Sequence, residues 1–279
     1  MNLLTWNVRG LVCACPRLRE FIRQHCLNFI SILEPLVSQD NGVFYLNKIG
    51  FSNLFMSATN RIWVMWNDSA FDVISVVDKG QFLLIKLRYI PLDFLFVFSP
   101  VYGKHTRAER ASLWEGMTTF AQAEHIPWVL GGDFNIVSNL GEYKGPSCPL
   151  IGDMADFRNC IDECSLLQLP TLGSTYTWTG VRSNGRIWER LDRFLVNQEF
   201  LDHFDTCNIQ HLSKAASDHC PLLLMCDIAS LHGPSQFRFQ NMWLTSEEFL
   251  PFVRQKRETY HMFGGGGMRG MASKLKALK

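Results

Sequence analysis

Residues 128–135 read Trp-Val-Leu-Gly-Gly-Asp-Phe-Asn: a short apolar run, two glycines, then Asp133 and Asn135. The run has strand length, and strand alternation would set Asp133 and Asn135 on one face, where a carboxylate and an amide can address the same substrate atom. The glycines allow close backbone approach, which suits the mouth of a site. Taken alone, the stretch is equally an Asp–Asn turn after a strand.

The pattern continues outward in both directions. Upstream, Thr106 and Glu109 form a capping box, Ala111, Trp114, Met117 and Ala121 recur at helical spacing, and Pro127 closes the segment. Met154, Phe157, Ile161 and Cys164 form a second helical stripe, and a third helix is expected over Leu18–Leu27. Short β-branched or aromatic runs recur at Leu3–Trp6, Phe29–Leu33, Ile62–Trp66, Phe71–Val77, Phe82–Leu87, Phe94–Val101, Leu191–Val196 and Leu222–Met225. Many strands with a few interspersed helices imply an α/β sandwich, because helices must cover sheet faces that would otherwise meet water.

The chain has 279 residues, 47% of them apolar, enough for a substantial core. No run of eighteen apolar residues occurs and Met1–Asn7 lacks the features of a secretory leader, which argues against membrane spanning and secretion. Nine cysteines lie scattered without CxxC spacing, the pattern of a reducing cytosolic or nuclear compartment. The net charge of +1 conceals an asymmetry: residues 254–279 carry seven basic side chains and one acid. A basic field over the whole body is absent, so any grip on phosphate must come from local arginines, a metal or the tail.

The pattern weakens after Met225, and Gly233-Pro234 suggests a domain boundary near residue 230. The remainder, 231–279, is expected to be a basic, partly flexible tail, with a glycine hinge at Gly264–Gly267 and the start of a basic helix cut off at the C-terminus, as in a truncated longer parent.

Polar residues at strand ends form the candidate constellation: Asn7, Glu34, Tyr102, Asp192, and Ser217-Asp218-His219. Each alone has a plain structural reading, such as a solvated strand end for Glu34 or a satisfied histidine for His219. Together they strain that reading. Arg182, Arg186, Arg190 and Arg193 form the densest basic cluster of the body. They are either contacts to a nucleic-acid backbone or a solvated hairpin face paired with Glu189 and Glu199. Trp178 and Trp188 are packing aromatics or base-stacking platforms.

The ordered set WNVRG (6–10), ILEP (32–35), VYG (101–103), GGDFN (131–135), YTWTG (176–180), ERLDRF (189–194) and SDHCP (217–221) resembles the endonuclease/exonuclease/phosphatase superfamily. Within it, residues 1–228 look most like the endonuclease domain of plant LINE-type non-LTR retrotransposons. The tail resembles the stretch that leads towards a reverse transcriptase, which this chain lacks.

The resemblance implies a four-layer α/β/β/α sandwich of two mixed sheets and a metal-dependent phosphodiesterase, a DNA endonuclease that leaves a 3′-hydroxyl. It implies a metal at Glu34, Asn7 and Asp218, with Mg²⁺ expected and Mn²⁺ as substitute. Asp133 would activate water, Asn135 would bind the phosphate, and Asp192 would orient His219 on the phosphate. Tyr102 would bind a phosphate oxygen or assist the leaving group. Thr177, Trp178 and the four arginines would contact nucleic acid, with Lys104 and Arg107 extending the surface. The resemblance also implies DNA as substrate, and a monomer is expected; the cysteine pattern and the absence of a leader or long apolar run point to nucleus or cytoplasm with no membrane partner. Two positions depart from the abasic-site repair branch: Arg9 stands where those enzymes carry an acid, and His105 where many relatives carry an asparagine. Two other readings stay open: an inactive or co-opted fragment that binds nucleic acid, and a phosphatase acting on a phosphorylated lipid or inositol.

Overall fold

The computed structural model describes residues 1–146, 149–183, 185–228 and position 251, and Met1–Ile228 form one compact unit. The tail expectations over 231–279 lie outside the described residues apart from Pro251.

The chain opens with β1 (Asn2–Asn7), α1 (Leu11–Gln24), β2 (Phe29–Leu33) and α2 (Gly42–Ile49). Five strands follow: β3 (Asn53–Met56), β4 (Ile62–Trp66), β5 (Phe71–Asp78), β6 (Leu83–Tyr89) and β7 (Phe94–Tyr102). Then come α3 (Arg107–Ala123), β8 (Trp128–Asp133), β9 (Tyr143–Lys144), α4 (Ile151–Glu163), β10 (Leu167–Gln168) and β11 (Thr171–Leu172). The last third holds the hairpin β12 (Trp178–Arg182) and β13 (Gly185–Glu189), β14 (Asp192–Val196), α5 (Gln198–Leu201), β15 (Thr206–His211) and β16 (Leu222–Asp227).

Two mixed sheets result. One runs β11-β15-β16-β1-β2-β4-β3, the other β10-β14-β8-β7-β6-β5, and a small third sheet β12-β13-β9 stands apart. Alternation along each strand sorts the side chains into layers. Leu3, Phe29, Leu33, Phe98, Val129, Phe194 and Leu222 fill the space between the two large sheets. Leu4, Trp6, Ile30 and Trp63 face outward under α1 and α2. Val97, Leu130 and Leu195 face outward under α3 and α4. This is the expected α/β/β/α sandwich.

Helix α1 begins at Leu11, seven residues before the expected start at Leu18, and ends at Gln24. Pro16 disguised it: proline lacks an N–H and clashes with the preceding turn, so it reads as a break, yet here it lies inside the helix at its sixth residue. The capping box at the head of α3 is present, with Thr106 Oγ1 accepting from the Glu109 amide at 3.3 Å.

The two glycines of β8 serve packing. A Cβ at Gly131 would lie 2.3 Å from the Phe194 ring, and one at Gly132 would lie 2.1 Å from the Val101 carbonyl oxygen. The neighbouring strands, and not a ligand, set the need for glycine here.

Candidate active site

Parity places the polar groups. On β1, Asn7 shares a face with Leu3; on β7, Tyr102 shares one with Phe98; on β8, Asp133 shares one with Val129; and on β14, Asp192 shares one with Phe194. Each apolar partner lies between the sheets, so each polar residue emerges at the mouth of the same inner layer. Asp133 and Asp192 are direct cross-strand partners.

A connected set of polar contacts follows from this placement. Asn7 Nδ2 donates to Asp133 Oδ2 at 3.0 Å, and the Asn135 amide donates to Asp133 Oδ1 at 2.9 Å. His219 Nδ1 meets Asp192 Oδ2 at 2.9 Å, and its Nε2 lies 3.8 Å from Asp133 Oδ2. The loop that carries His219 is pinned to β1: Trp6 Nε1 donates to the His219 carbonyl at 3.2 Å, and Ser217 Oγ donates to the Asn7 carbonyl at 2.7 Å. Asp133, Asp192 and His219 are all buried, and their ligand atoms lie within 4.8 Å of one another, close enough to hold a metal ion.

Burial followed by the Asp192 charge pushes the Asp133 carboxyl up to about 7, and His219 and the donors from Asn135 and Asn7 offset this only in part. Burial alone would lower the His219 imidazole. The carboxylates of Asp192 and Asp133 outweigh it and raise the group to about 9. At neutral pH the arrangement therefore holds a charged imidazole beside a carboxyl poised near its midpoint.

Asn7, Asp133 and His219 line a cleft of about 750 Å³, with Asp192 behind His219. Glu34, Arg9, Asp218, Asn135 and His105 also line it, as do Trp178, Arg182 and Glu189 of the hairpin. Asp133 and Asn135 both line it, but a turn brings them there: Asn135 has φ +52° and its Nδ2 donates to the Gly103 carbonyl at 2.7 Å. Strand alternation past Asp133 is broken.

Oxygen donors for a divalent ion are present at Glu34, Asn7 and Asp218. Asp218 Oδ2 accepts from Trp178 Nε1 at 2.9 Å and from Arg9, while its Oδ1 is buried without a hydrogen-bond partner. An orphaned carboxylate oxygen of this kind, in a cleft that Glu34 also lines, fits a hard cation such as Mg²⁺.

Several expected contacts are corrected by burial. Arg193 is fully buried and forks onto Glu142 at 3.2 and 2.9 Å, with its face over the Phe157 ring. It sits at the opposite parity to Asp192 and cannot reach nucleic acid. Arg190 donates to Thr171 Oγ1 at 3.3 Å and lies 3.7 Å from the same Glu142, so Glu142 replaces Glu189 and Glu199 as the counter-ion. Thr177 is also fully buried, its Oγ1 accepting from the amides of Leu191 and Asp192 at 3.0 Å each, which fixes the Asp192 strand instead of touching a ligand. Tyr102 donates its hydroxyl to Glu34, and burial together with that bond raises its pKa, so it orients the carboxylate and stays protonated. Arg107 is committed to Asp156 at 2.6 and 2.8 Å. Arg182 and Arg186 remain exposed on the hairpin.

Two organising residues gave no functional signal in the sequence. Buried Arg110 donates to the carbonyls of Lys104, His105 and Asn135 at 2.9 to 3.1 Å and so ties two cleft-lining turns to α3. Glu142 does the same for the β14 side. Both sit among ordinary surface-type charges, and only contacts distant in sequence reveal them.

No curated protein matches the chain in sequence. Among solved structures, it is similar to the endonuclease domain of TRAS1, a telomere-specific non-LTR retrotransposon, with TM-score 0.61 and 16% identity over 82% of this chain and 99% of that one. It is also similar to the 3′-5′ exonuclease NExo from Neisseria meningitidis, with TM-score 0.62 and 17% identity over 81% and 100%. An AP endonuclease from Archaeoglobus fulgidus gives TM-score 0.63 and 13% identity over 82% and 100%. These likenesses establish the fold. The sequence profile of the Endonuclease/Exonuclease/phosphatase family matches residues 4–219, more than half of the chain, and the protein belongs to that family.

Proposed function

We propose that the protein is a metal-dependent DNA endonuclease that hydrolyses a backbone phosphodiester and leaves a 3′-hydroxyl. The observation that carries this reading is the grouping of Asn7, Asp133 and His219 in a cleft that Glu34 and Asp218 also line, with Asp192 behind His219 on its Nδ1.

Glu34, Asn7 and Asp218 would hold Mg²⁺, with Mn²⁺ as a substitute. Bound there, the ion supplies charge neutralisation for the phosphorane and the departing oxygen. Asp133 accepts a proton from the attacking water, and Asn7 and the Asn135 amide keep its carboxylate aimed. The water oxygen bonds to phosphorus as the P–O3′ bond breaks, and a proton ends on the 3′-oxygen. His219, held charged by Asp192, donates from Nε2 to a non-bridging phosphate oxygen and stabilises the growing negative charge. Tyr102 acts one step back by orienting Glu34. Arg182 and Arg186, exposed on the hairpin, supply backbone contacts, and Trp178 forms part of the cleft wall. A neighbouring structure of NExo from Neisseria, similar at TM-score 0.62 and 18% identity, is of that protein bound to product DNA hairpin, which supports a DNA substrate.

Supercoiled plasmid provides the test. The full chain in Mg²⁺ is expected to convert it to open circles whose nicks prime a polymerase directly. Chelator should stop the reaction, and Asp133→Asn should slow it by about 10²–10⁴. Phosphate release from inositol phosphates without nicking would assign a phosphatase instead. Tight DNA binding without cutting in any divalent ion would assign a binding fragment.

A further inference from the structure

We infer that Arg9 is a phosphate-binding residue, a fixed cation that grips the substrate backbone next to the scissile phosphodiester; the inference rests on the nuclease reading above. Arg9 leaves β1 in a left-handed turn at φ +44°, a conformation that costs energy in any residue with a Cβ. Its amide donates to Asn7 Oδ1 at 3.2 Å, and the next amide, of Gly10, donates to the Glu34 carbonyl at 3.0 Å. The turn is thereby locked between two residues of the site, and the side chain starts from a fixed point on the cleft wall.

The far end is fixed as well. Arg9 Nη1 donates to Asp218 Oδ2, and that oxygen also accepts from Trp178 Nε1 at 2.9 Å. Trp178 can lie there only because position 180 is glycine, where a Cβ would stand 2.4 Å from the indole ring. A guanidinium has five N–H donors in a rigid fork, and this bond engages only one nitrogen of it. With its side chain 56% exposed on the cleft wall, Arg9 offers the rest of the fork to a ligand. An exposed ion pair contributes at most about 1 kcal/mol, so stability alone is a poor reason to keep a strained, doubly anchored arginine here.

Charge gives the ligand class. Glu34, Asp133 and Asp218 make this part of the cleft hostile to an approaching anion, while Arg182 lines the same cleft from the hairpin, 6.0 Å from the Trp178 ring. Arg9 supplies the positive charge on the β1 side, and a planar fork suits two oxygens of one phosphate.

Binding measured against salt separates this role from a structural one. The full chain carrying Asp133→Asn, which silences cutting, is titrated with a fluorescent DNA duplex in Mg²⁺ across a series of salt concentrations. Adding Arg9→Ala should weaken binding and reduce the slope of log affinity against log salt by about 0.9, the release expected for one lost phosphate contact. Arg9→Lys should keep the slope. Arg9→Gln serves as the neutral variant if Arg9→Ala melts at a lower temperature than its parent. An unchanged slope in both neutral variants, with the wild type nicking plasmid, overturns the role of Arg9 and leaves the nuclease reading standing. A wild type that neither binds nor cuts DNA overturns both.

Discussion

His219 is a buried histidine with a carboxylate at each ring nitrogen, and that geometry decides its charge. Its value rises to about 9 although burial opposes the charged form, because Asp192 and Asp133 outweigh it. Asp192→Asn removes the nearer carboxylate and should pull the imidazole back towards its ordinary value of about 6.5. The alkaline limb of the kcat/KM profile should then move to lower pH, with a lower plateau. An unmoved limb would mean that His219 does not act as a cation. Stability carries the same sign. Asp133 and His219 both have raised values in the folded chain, so the protons they hold stabilise it fully below the unfolded values of about 3.9 and 6.5, and that stabilisation is lost as pH climbs through about 7 and then 9. In chelator, the thermal midpoint should therefore fall steadily from about pH 6 to pH 9. A midpoint that rises over that range would contradict the assignment.

At the scale of elements, β14 shows how two charged neighbours acquire unrelated roles. Asp192 and Arg193 are adjacent, yet alternation sends one to the site and the other under α4. Arg193 is held by Glu142, whose carboxyl burial would raise but whose bonds to Arg193 and the Ser138 amide lower. That contribution is present above the unfolded carboxylate value of about 4.3 and is lost as pH falls through the lower folded one. Glu142→Gln strands the buried guanidinium and should cost about 3–5 kcal/mol in denaturant unfolding near neutral pH, far more than an exposed pair. Arg193 also donates to Gln168 Oε1 at 3.1 Å and to the carbonyls of Ile136 and Arg190 at 3.1 and 2.7 Å, and a loss within about 1 kcal/mol would show that these suffice. The basic cluster of Arg182, Arg186, Arg190 and Arg193 was thus half legible. The hairpin arginines Arg182 and Arg186 are exposed as read, whereas Arg190 and Arg193 are structural. Alternation from Asp192 could have separated Arg193, but nothing local pointed to Glu142, about fifty residues away.

For the whole molecule, the order of strands makes both ends of the described unit indispensable. Strand β16 pairs with β1 on one side and β15 on the other, in the middle of the seven-stranded sheet, and the Met1 carbonyl accepts from the Cys226 amide at 2.8 Å. A chain ending at Ile228 keeps β16 and should melt cooperatively with the midpoint of the full protein. One ending at Pro221 loses a central strand and should not fold. Equal melting of the two would refute this reading of the sheet. The boundary near residue 230 and the independence of the tail are tested by the same pair.

Short apolar runs and helical stripes were readable from residues alone, because they record which segments and faces meet the core. They fixed nine strand positions, the helices α3 and α4, and hence a sandwich whose polar strand ends had to gather somewhere. The weakly patterned pieces escaped: α2, the edge strand β3 and β15 have mixed burial and owe their form to neighbours distant in sequence. The site divides the same way. Asn7, Asp133, Asp192 and His219 were visible as polar residues at or beside the ends of apolar strands. Their union was decided by tertiary structure, since strands β1, β8 and β14 bring together side chains from across the chain and a loop pinned by Trp6 and Ser217 closes the set. Burial in that shared layer raises the Asp133 carboxyl, the carboxylates gathered there raise His219 against burial, and that layer exists only once two sheets have closed over one another.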